Sequence, residues 1–185
     1  MHPLTASRLA TTALLALSML PWISVIEPTP AEGGIVAPRS KCAGQSNVHA
    51  PEPRQEDAMR CLINHARSNL RPYKALERAA GRKAGDVRRC GFSHTACGRP
   101  FDVYPKRFGY THGASSWRFG ENLAWGKGRD GSARRIFKAW LDSPPHRHTM
   151  LTGAFEHVGL GLKRGRFRGH SNAAVWVLQV GCRGC

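Results

Sequence analysis

The stretch that decides the fold is SARRIFKAWLDSPPHR, residues 132–147. Its apolar residues recur at intervals of three and four, as on the inner face of an α-helix: Ala133, Ile136, Phe137, Trp140 and Leu141. Ser132 can cap the N-terminus of this helix, and Ser143-Pro144-Pro145 ends it. The sequence therefore predicts a helix that packs on a core, followed directly by the polar pair His146-Arg147.

A β-hairpin is predicted after this helix. Apolar residues alternate with glycines in the period of two that is typical of a strand, in the order Val158, Gly159, Leu160, Gly161 and Leu162. After a basic turn, the apolar run over residues 174–180 has the composition of a central strand. The chain therefore closes with two strands that we expect to pair with each other.

Two further helices are predicted before the quoted stretch. The first starts near Gln55, is stopped by Pro72, and has apolar residues at helical spacing: Met59, Leu62, Ile63, Ala66 and Leu70. The second has an alanine-rich inner face that suits close packing: Leu76, Ala79, Ala80, Lys83, Ala84 and Val87. Between Cys90 and Lys127 the periodicity fails, which predicts a long structured connection with one short strand. This order of elements predicts an α+β fold in which helices cover a small antiparallel sheet.

The N-terminus has the pattern of a signal peptide. No charged residue occurs from Leu9 to Ile26, and Thr29 and Ala31 form the nearest pair of small residues at cleavage-site spacing. We therefore predict a signal peptide over residues 1–31 and a secreted, extracellular protein. Because the uncharged stretch is about as long as the shortest membrane-spanning helix, an uncleaved membrane anchor is the alternative.

The rest of the chain is predicted to form a linker and one domain. Residues 32–54 are rich in proline, glycine and small polar residues and lack periodicity, which is typical of a linker. Residues 55–185 are enough for a single domain with its own core.

Six cysteines follow the predicted signal peptide: Cys42, Cys61, Cys90, Cys97, Cys182 and Cys185. An even number of cysteines in an exported chain predicts disulfides. Spacing assigns only the pair Cys90 and Cys97, which closes a short loop around His94, and leaves the other four open. A four-thiolate zinc site made of Cys90, Cys97, Cys182 and Cys185 is the alternative, although the first spacing is wide for one and export disfavours free thiolates.

The chain is strongly basic, with 28 Lys and Arg against 12 Asp and Glu, a net charge of +16. The basic residues are spread along the whole chain, so they predict weak, salt-sensitive attachment to any polyanion, such as anionic lipid, cell-envelope polymers or nucleic acid. A charge-driven adhesin for the cell wall or nucleic acid is therefore a further interpretation, and no specific nucleic-acid partner is expected. The alternative is a solvated surface without a partner. Among the short clusters, the turn from Lys163 to Arg168 is the predicted contact for an anionic head group.

Four segments, in this order, resemble the CAP superfamily, which comprises cysteine-rich secretory proteins, antigen 5 and plant pathogenesis-related 1 proteins. They are Phe92-Ser93-His94, Gly120 to Ala124, Trp140 to Arg147, and Phe155 to Gly161 followed by Trp176 to Gly181. The resemblance covers residues 55–181 and is strongest to the bacterial branch of the superfamily. It implies an α-β-α sandwich, secretion, and a central cleft where histidines and acidic residues meet.

The resemblance also implies which residues form that cleft, which in the family is typically built from two His and two Glu. His94 matches the first histidine and Glu121 matches the first glutamate. The other two positions do not match, because Ser143 stands where many eukaryotic members have Glu and no histidine precedes Gln179 in the late strand. His146 belongs to a Ser-Pro-x-His-Arg pattern of similar bacterial proteins, and we expect it to border the cleft.

Two functions from different classes remain open at this point, and the sequence decides neither for nor against catalysis. The first is a secreted, non-catalytic interaction module that acts outside the cell or at its envelope as a monomer and binds a lipid or another small amphiphile. The second is a metal-assisted, peptidase-like hydrolase in which His94, His146 and Glu121 hold a zinc ion that activates water.

Three further interpretations compete with these functions. Glu121 and Asn122 could bond buried loop backbone while His146-Arg147 caps the preceding helix, which would make the site structural. Ser93 lies beside His94 but lacks a nucleophile-elbow motif and an acidic partner. Four aromatic residues could line a groove for a lipid tail or belong to the core: Trp117, Phe119, Trp125 and Trp140.

Overall fold

Helices pack on both faces of a four-stranded sheet in the computed structural model, which describes residues 34–185. The predicted signal peptide lies outside the described residues. The elements are α1 (Glu52–Ala66), β1 (Arg71–Pro72), α2 (Lys74–Cys90), α3 (Val103–Arg107), β2 (Trp117–Lys127), α4 (Ala133–Asp142), α5 (Pro144–Leu151), β3 (His157–Phe167) and β4 (His170–Arg183). Short 3₁₀ turns cover Ala96–Gly98 and Gly128–Gly131. The described residues form one compact unit, and the predicted α+β class is confirmed.

The sheet has the strand order β1-β3-β4-β2. The predicted hairpin of β3 and β4 is present, and β2 pairs antiparallel with β4 from Trp117 opposite Arg183 to Lys127 opposite Ala173. The sheet is mixed rather than purely antiparallel, because the two-residue β1 runs parallel to β3. Strand β2 is also longer than the short strand that the sequence predicts. Its central residues are buried on both faces of the sheet, so no alternation of apolar and polar residues marks it.

The two glycines of β3 let α2 lie directly on the sheet. A Cβ atom on Gly159 would stand 2.0 Å from the carbonyl carbon of Leu76, and one on Gly161 would stand 2.3 Å from that of Ala80. Both distances are far below van der Waals contact, so no larger residue fits while α2 keeps its place. The alternation of glycine and apolar residues in β3 therefore sets the distance between helix and sheet.

Helices α1, α4 and α5 cover the opposite face of the sheet. Trp140 of α4 and Trp176 of β4 are almost fully buried there, among Met59, Leu62, Ile63, Phe137 and Leu178. Each indole N–H finds a buried acceptor, at 3.2 Å from Leu123 O for Trp140 and 2.9 Å from Gly131 O for Trp176. The helix predicted from residues 132–147 is therefore present, and its apolar stripe faces the core as expected.

The proline pair that ends α4 also begins a fifth helix, which the sequence analysis did not predict. Pro144 and Pro145 occupy its first two positions, where a missing N–H and a fixed φ are tolerated. His146-Arg147 therefore lies in the first turn of α5. It does not cap the end of α4.

Residues 34–50, within the predicted linker, pack onto the domain. Ala37 and Cys42 are 0% and 1% exposed, and the disulfide between Cys42 and Cys61 ties the segment to α1. The side chain of Gln45 donates to Pro38 O at 3.0 Å. Since this packing depends on one disulfide and on hydrogen bonds to the backbone, it leaves no hydrophobic periodicity in the sequence.

All six cysteines are paired, as Cys42–Cys61, Cys90–Cys97 and Cys182–Cys185. These pairings leave no thiolates for the four-cysteine zinc alternative. Among residues 34–185, no helix is long and apolar enough to cross a membrane.

Candidate functional site

The loop that carries His94 is fixed at both ends. Helix α2 ends at Cys90, and Gly91 reverses the chain with a φ of 111°. The Cys90–Cys97 disulfide then closes the loop around His94. Beneath the loop, the buried ammonium of Lys83 donates to His94 O at 2.5 Å and to Arg99 O at 2.7 Å. The histidine is therefore presented by an anchored loop.

A carboxylate from the edge strand β2 orients this histidine. Nδ1 of His94 donates to Oε1 of Glu121 at 2.8 Å, and Gln179 on the neighbouring strand β4 donates to Oε2 at 3.0 Å. The Glu121 side chain is 1% exposed, whereas the His94 side chain is 52% exposed. Because Nδ1 is engaged by the carboxylate, Nε2 is the ring nitrogen left for a ligand or for water.

A small cavity of about 310 Å³ opens beside this pair and is lined by His94, Phe101 and Glu121. Nε2 of Gln179 also donates to Phe101 O at 3.0 Å, so both acceptors fix the orientation of the amide. Its carbonyl oxygen, Oε1, is buried and has no hydrogen-bond partner within residues 34–185. A buried oxygen of this kind needs a donor, which water or a ligand can supply.

His146 reaches the same cleft from α5. The Asn122 side chain on β2 donates to His146 O at 2.8 Å, so the edge strand holds the first turn of the helix. Nδ1 of His146 lies 2.7 Å from Oγ of Ser143. Burial lowers the pKa of His146, and the charge of nearby His94 lowers the pKa further. At neutral pH, the cleft therefore presents a neutral imidazole at His146.

The predicted metal ligands do not form a three-residue site. In the part of the chain that the structure describes, no group of three or more His, Cys, Asp or Glu side chains could hold a metal ion. Both oxygens of Glu121 accept hydrogen bonds, one from His94 and the other from Gln179, so only the Nε2 atoms of His94 and His146 remain open as ligands. The side chains of His94, His146 and Glu121 therefore do not fit the open three-ligand arrangement of a catalytic zinc.

Ser93 is not arranged as a nucleophile. Its hydroxyl lies 2.9 Å from Oγ1 of Thr95 and accepts the Thr95 backbone N–H at 3.0 Å. These bonds stabilise the turn that leads out of the His94 position. A serine hydrolase would need the hydroxyl to face a histidine base instead.

Three polar residues of the site were not proposed from the sequence as site residues: Lys83, Asp86 and Gln179. Lys83 and Asp86 occupy the inner face of α2, where burial lowers the pKa of Lys83 and the carboxylates of Glu121 and Asp86 raise it in part. Asp86 bonds Arg89 at 2.6 Å and the Tyr104 hydroxyl at 2.7 Å. Charged residues on an otherwise apolar helix stripe, and a lone glutamine in an apolar strand, are the signals that mark such buried partners.

The four aromatic residues considered for a lipid groove are divided between core and surface. Trp140 is buried in the core, whereas Trp117 is 40% exposed. The ring centroids of Trp117 and Phe119 are 5.0 Å apart, and those of Trp125 and Phe167 are 5.6 Å apart. They do not line one common groove.

A larger concave surface than the cavity beside His94 lies at the junction of α4 and α5. This groove has a volume of about 610 Å³ and is lined by Leu141, Asp142, Pro144, Arg147, His148, Leu151 and Thr152. Arg67 of α1 donates to Thr152 O, and to Phe155 O at 2.8 Å, which fixes the chain at the C-terminal end of α5. Apolar and basic side chains therefore share one groove on a well-anchored helix.

Known proteins match both the sequence and the fold. The model of the cysteine-rich secretory protein family (CAP) matches residues 57–180. An extracellular protein of Bacillus anthracis str. Ames that contains an SCP domain has a TM-score of 0.55 and 19% identity, over 70% of this chain and 40% of that one. An outer surface protein of Borrelia burgdorferi has a TM-score of 0.49 and 22% identity, over 62% and 78%. The curated proteins give no match.

The fold and the cleft thus define an α-β-α sandwich with a histidine and a glutamate paired at the edge of its sheet. The family model spans more than half of the chain, and the chain therefore belongs to the cysteine-rich secretory protein (CAP) family. The likeness to the Bacillus protein supports the same fold, and the chain spans 40% of that protein's length.

Proposed function

We propose that this protein is a secreted, non-catalytic binding module, and that its ligand is a small single-chain amphiphile with an anionic head group. The observation that carries the proposal is the groove at the junction of α4 and α5. Its volume of about 610 Å³ lies within the range of about 300–1,000 Å³ that organic ligands occupy in proteins.

The lining of the groove suits the two ends of such a ligand. Leu141, Pro144 and Leu151 offer apolar surface, and Arg147 stands at the same groove with an exposed guanidinium. Asp142 is the single carboxylate in the lining, which also contains the basic residues Arg147 and His148. An acyl chain on the apolar residues and a carboxylate or phosphate near Arg147 would satisfy both kinds of surface.

The cleft around His94 gives less support to catalysis. Glu121 holds His94 in one orientation, but Ser93 faces Thr95 and, within residues 34–185, no third metal ligand joins the set. Binding also suits the unpartnered oxygen of Gln179, which a polar ligand or a water molecule can satisfy. We therefore assign the cleft a polar binding role and derive no step through a metal.

Secretion is part of the same proposal. It is supported by the uncharged N-terminal stretch, by the three disulfides, and by the likeness to an extracellular protein of Bacillus anthracis. The disulfides fit an oxidising compartment, where the groove would meet lipids of the cell envelope.

The test is equilibrium binding of saturated fatty acids with 8, 12 and 16 carbons to the purified protein and to R147E. We expect the affinity to rise with chain length, because each buried CH₂ contributes about 0.8 kcal/mol. Reversal of the charge at Arg147 should weaken binding of the 16-carbon acid by about tenfold, since it removes the partner of the head group.

The matched control is R118E, which makes the same change of charge on β2, outside the groove. We expect it to change the affinity by less than about twofold, because an exposed charge at a distance is screened by salt. Binding that ignores chain length, or that R118E weakens as much as R147E, would overturn the proposal.

A further inference from the structure

A second concave site lies at the other end of α4 and is strongly basic. It has a volume of about 270 Å³ and is formed by the N-terminal end of α4, the 3₁₀ turn before it and the packed segment 39–46. Its lining residues are Arg39, Ser46, Arg129, Ser132, Arg134, Arg135 and Lys138. Five cationic and two hydroxyl side chains therefore meet in one cavity, which we call the basic cavity, and no carboxylate lines it.

The charges of the basic cavity are not neutralised by the protein. Within residues 34–185, none of its five cations lies within 4.0 Å of an Asp or Glu oxygen. The turn from Lys163 to Arg168 differs, because Lys163 pairs with Glu52 at 2.7 Å and Arg168 stacks over Phe92 and Trp125. Positive charge that is gathered and unpaired attracts an anion far more strongly than charge that is spread or paired.

One wall of the basic cavity is already fixed in place. Arg134 donates to Ala37 O at 2.7 Å and to Oε1 of Gln45 at 2.6 Å, and its backbone N–H donates to Gln45 O at 2.8 Å. Gln45 itself is buried and donates to Pro38 O. A ligand would therefore meet a guanidinium whose position is set beforehand, which lowers the entropic cost of binding.

Ser132 supplies a second, independent sign of a ligand. It is the N-cap residue of α4 and is 3% exposed, yet its hydroxyl makes no capping bond and no other hydrogen bond within the described residues. The hydroxyl lines the basic cavity, next to the first turn of a ten-residue helix. The Arg134 N–H of this turn is taken by Gln45 O, and the helix dipole favours an anion at this place.

We propose that the basic cavity binds a phosphate group that carries at least two negative charges, as in a phosphomonoester or a short polyphosphate. Arg129, Arg135 and Lys138 would neutralise the charge, and the Ser132 hydroxyl would donate to one phosphate oxygen. At about 270 Å³ the basic cavity is smaller than most sites for organic ligands, so the charged group itself is what it recognises. This site shares no lining residue with the amphiphile groove.

The test is isothermal titration of the purified protein with inorganic triphosphate at about 0.15 M salt, where long-range attraction is screened. The variant R135E/K138E reverses two charges of the basic cavity, and R118E/R166E makes the same change of net charge outside it. We expect one triphosphate per chain, weakened about 30-fold or more in R135E/K138E and less than about threefold in R118E/R166E. Equal weakening in both variants, or many weak sites per chain, would show only the diffuse field of the protein and would overturn the proposal.

Two further measurements test where the phosphate binds and which kind of molecule carries it. S132A removes no charge and no capping bond, so we expect an unchanged melting temperature and about three- to tenfold weaker triphosphate binding. Unchanged binding would contradict the role of Ser132 and, with it, the position of the phosphate.

Vesicles of phosphatidylcholine with phosphatidate distinguish the source of the phosphate. Vesicle binding that triphosphate displaces assigns the phosphate to a lipid head group. The absence of vesicle binding assigns it to a soluble compound.

Discussion

Glu121 is the residue on which the cleft depends most. Its carboxylate is buried and accepts hydrogen bonds from His94 and Gln179. Burial lowers the pKa of the Lys83 ammonium, and the charge of Glu121 offsets part of this lowering. A buried charge of this kind is stable only while its partners remain. The side chain therefore serves the folded structure and the binding surface at once.

We expect E121Q to lower the free energy of unfolding by about 2–3 kcal/mol, because the amide loses an acceptor oxygen and leaves Lys83 with one nearby carboxylate, Asp86, instead of two. Urea unfolding followed by tryptophan fluorescence measures this change. H94A is the matched control, since its ring is 52% exposed, and should cost less than about 1 kcal/mol. A stability of E121Q equal to that of the wild type would refute the structural part of this role.

The partly buried carboxylate of Glu56 should make stability depend on pH. Burial raises the pKa of Glu56 to about 7, and nearby Glu52 adds to the effect. A folded-state pKa above the unfolded value of 4.5 gives stability that is complete below pH 4.5 and is lost as the pH rises through about 7. Oε1 of Glu56 accepts the Leu162 N–H at 2.7 Å, a bond that glutamine can also make.

We therefore expect E56Q to be more stable than the wild type at pH 8, by roughly 1–2 kcal/mol after allowance for partial exposure, and equal to it at pH 4. Urea unfolding at both pH values measures the difference. An exposed carboxylate that does not act on Glu56 provides the control, since D130N should leave the pH dependence unchanged. A constant difference between E56Q and the wild type at both pH values would contradict the raised pKa.

The sequence predicted which residues form the cleft, but it did not predict the distances between them. Resemblance to the CAP superfamily placed His94 and Glu121, and the structure brings them into contact. Gln179 was not proposed as a site residue, because a single polar residue in a buried strand indicates that it has a buried partner but does not identify that partner. Distances across the sheet depend on register, which neither periodicity nor composition specifies.

At the scale of elements, glycine in β3 determines how closely α2 packs. We expect G159A to lower the free energy of unfolding by about 3 kcal/mol, because its Cβ would stand 2.0 Å from helix backbone that cannot move without shifting all of α2. Gly81 is the matched control, since a Cβ there meets nothing within 4 Å. G81A should stabilise the protein by about 0.5–1 kcal/mol, as alanine does in a helix interior. Thermal unfolding of both variants tests the pair, and a tolerated G159A would contradict this packing.

Long periodic helices could be predicted from sequence, and two other elements could not. The stripes of α1, α2 and α4 follow the helical period because each helix has one buried face. Strand β2 shows no alternation because Glu121, Asn122 and Leu123 are all buried. Helix α5 begins with Pro144 and Pro145, a pair that signals the end of a helix as much as its start.

At the scale of the whole molecule, the disulfides join segments that apolar contacts alone hold weakly. We expect C42S/C61S to lower the free energy of unfolding by about 3 kcal/mol, because this bond closes a loop of 19 residues and fastens residues 34–50 to α1. The disulfide between Cys182 and Cys185 closes a much shorter loop, so C182S/C185S should lower the free energy of unfolding by about half as much. Urea unfolding compares them, and equal costs would contradict the loop-closure account.

The charge of +16 acts at this scale too, but not evenly. Lys163 is paired with Glu52, and Arg168 is stacked on aromatic rings, so the turn that the sequence favoured as an anion contact is largely occupied. Five cations that have no carboxylate partner within residues 34–185 meet instead at the N-terminal end of α4. The proposed amphiphile site at one end of α4 and the proposed phosphate site at the other are therefore separate, and each has its own test.

The most direct measurement of the central claim is photo-crosslinking of the purified protein with a 16-carbon fatty acid that carries a diazirine on its chain, followed by peptide mapping. The account predicts label on residues 141–152, competed by unlabelled palmitic acid and reduced in R147E. Label on the loop from His94 to Phe101, or label spread over the chain without competition, would contradict a binding site at the junction of α4 and α5.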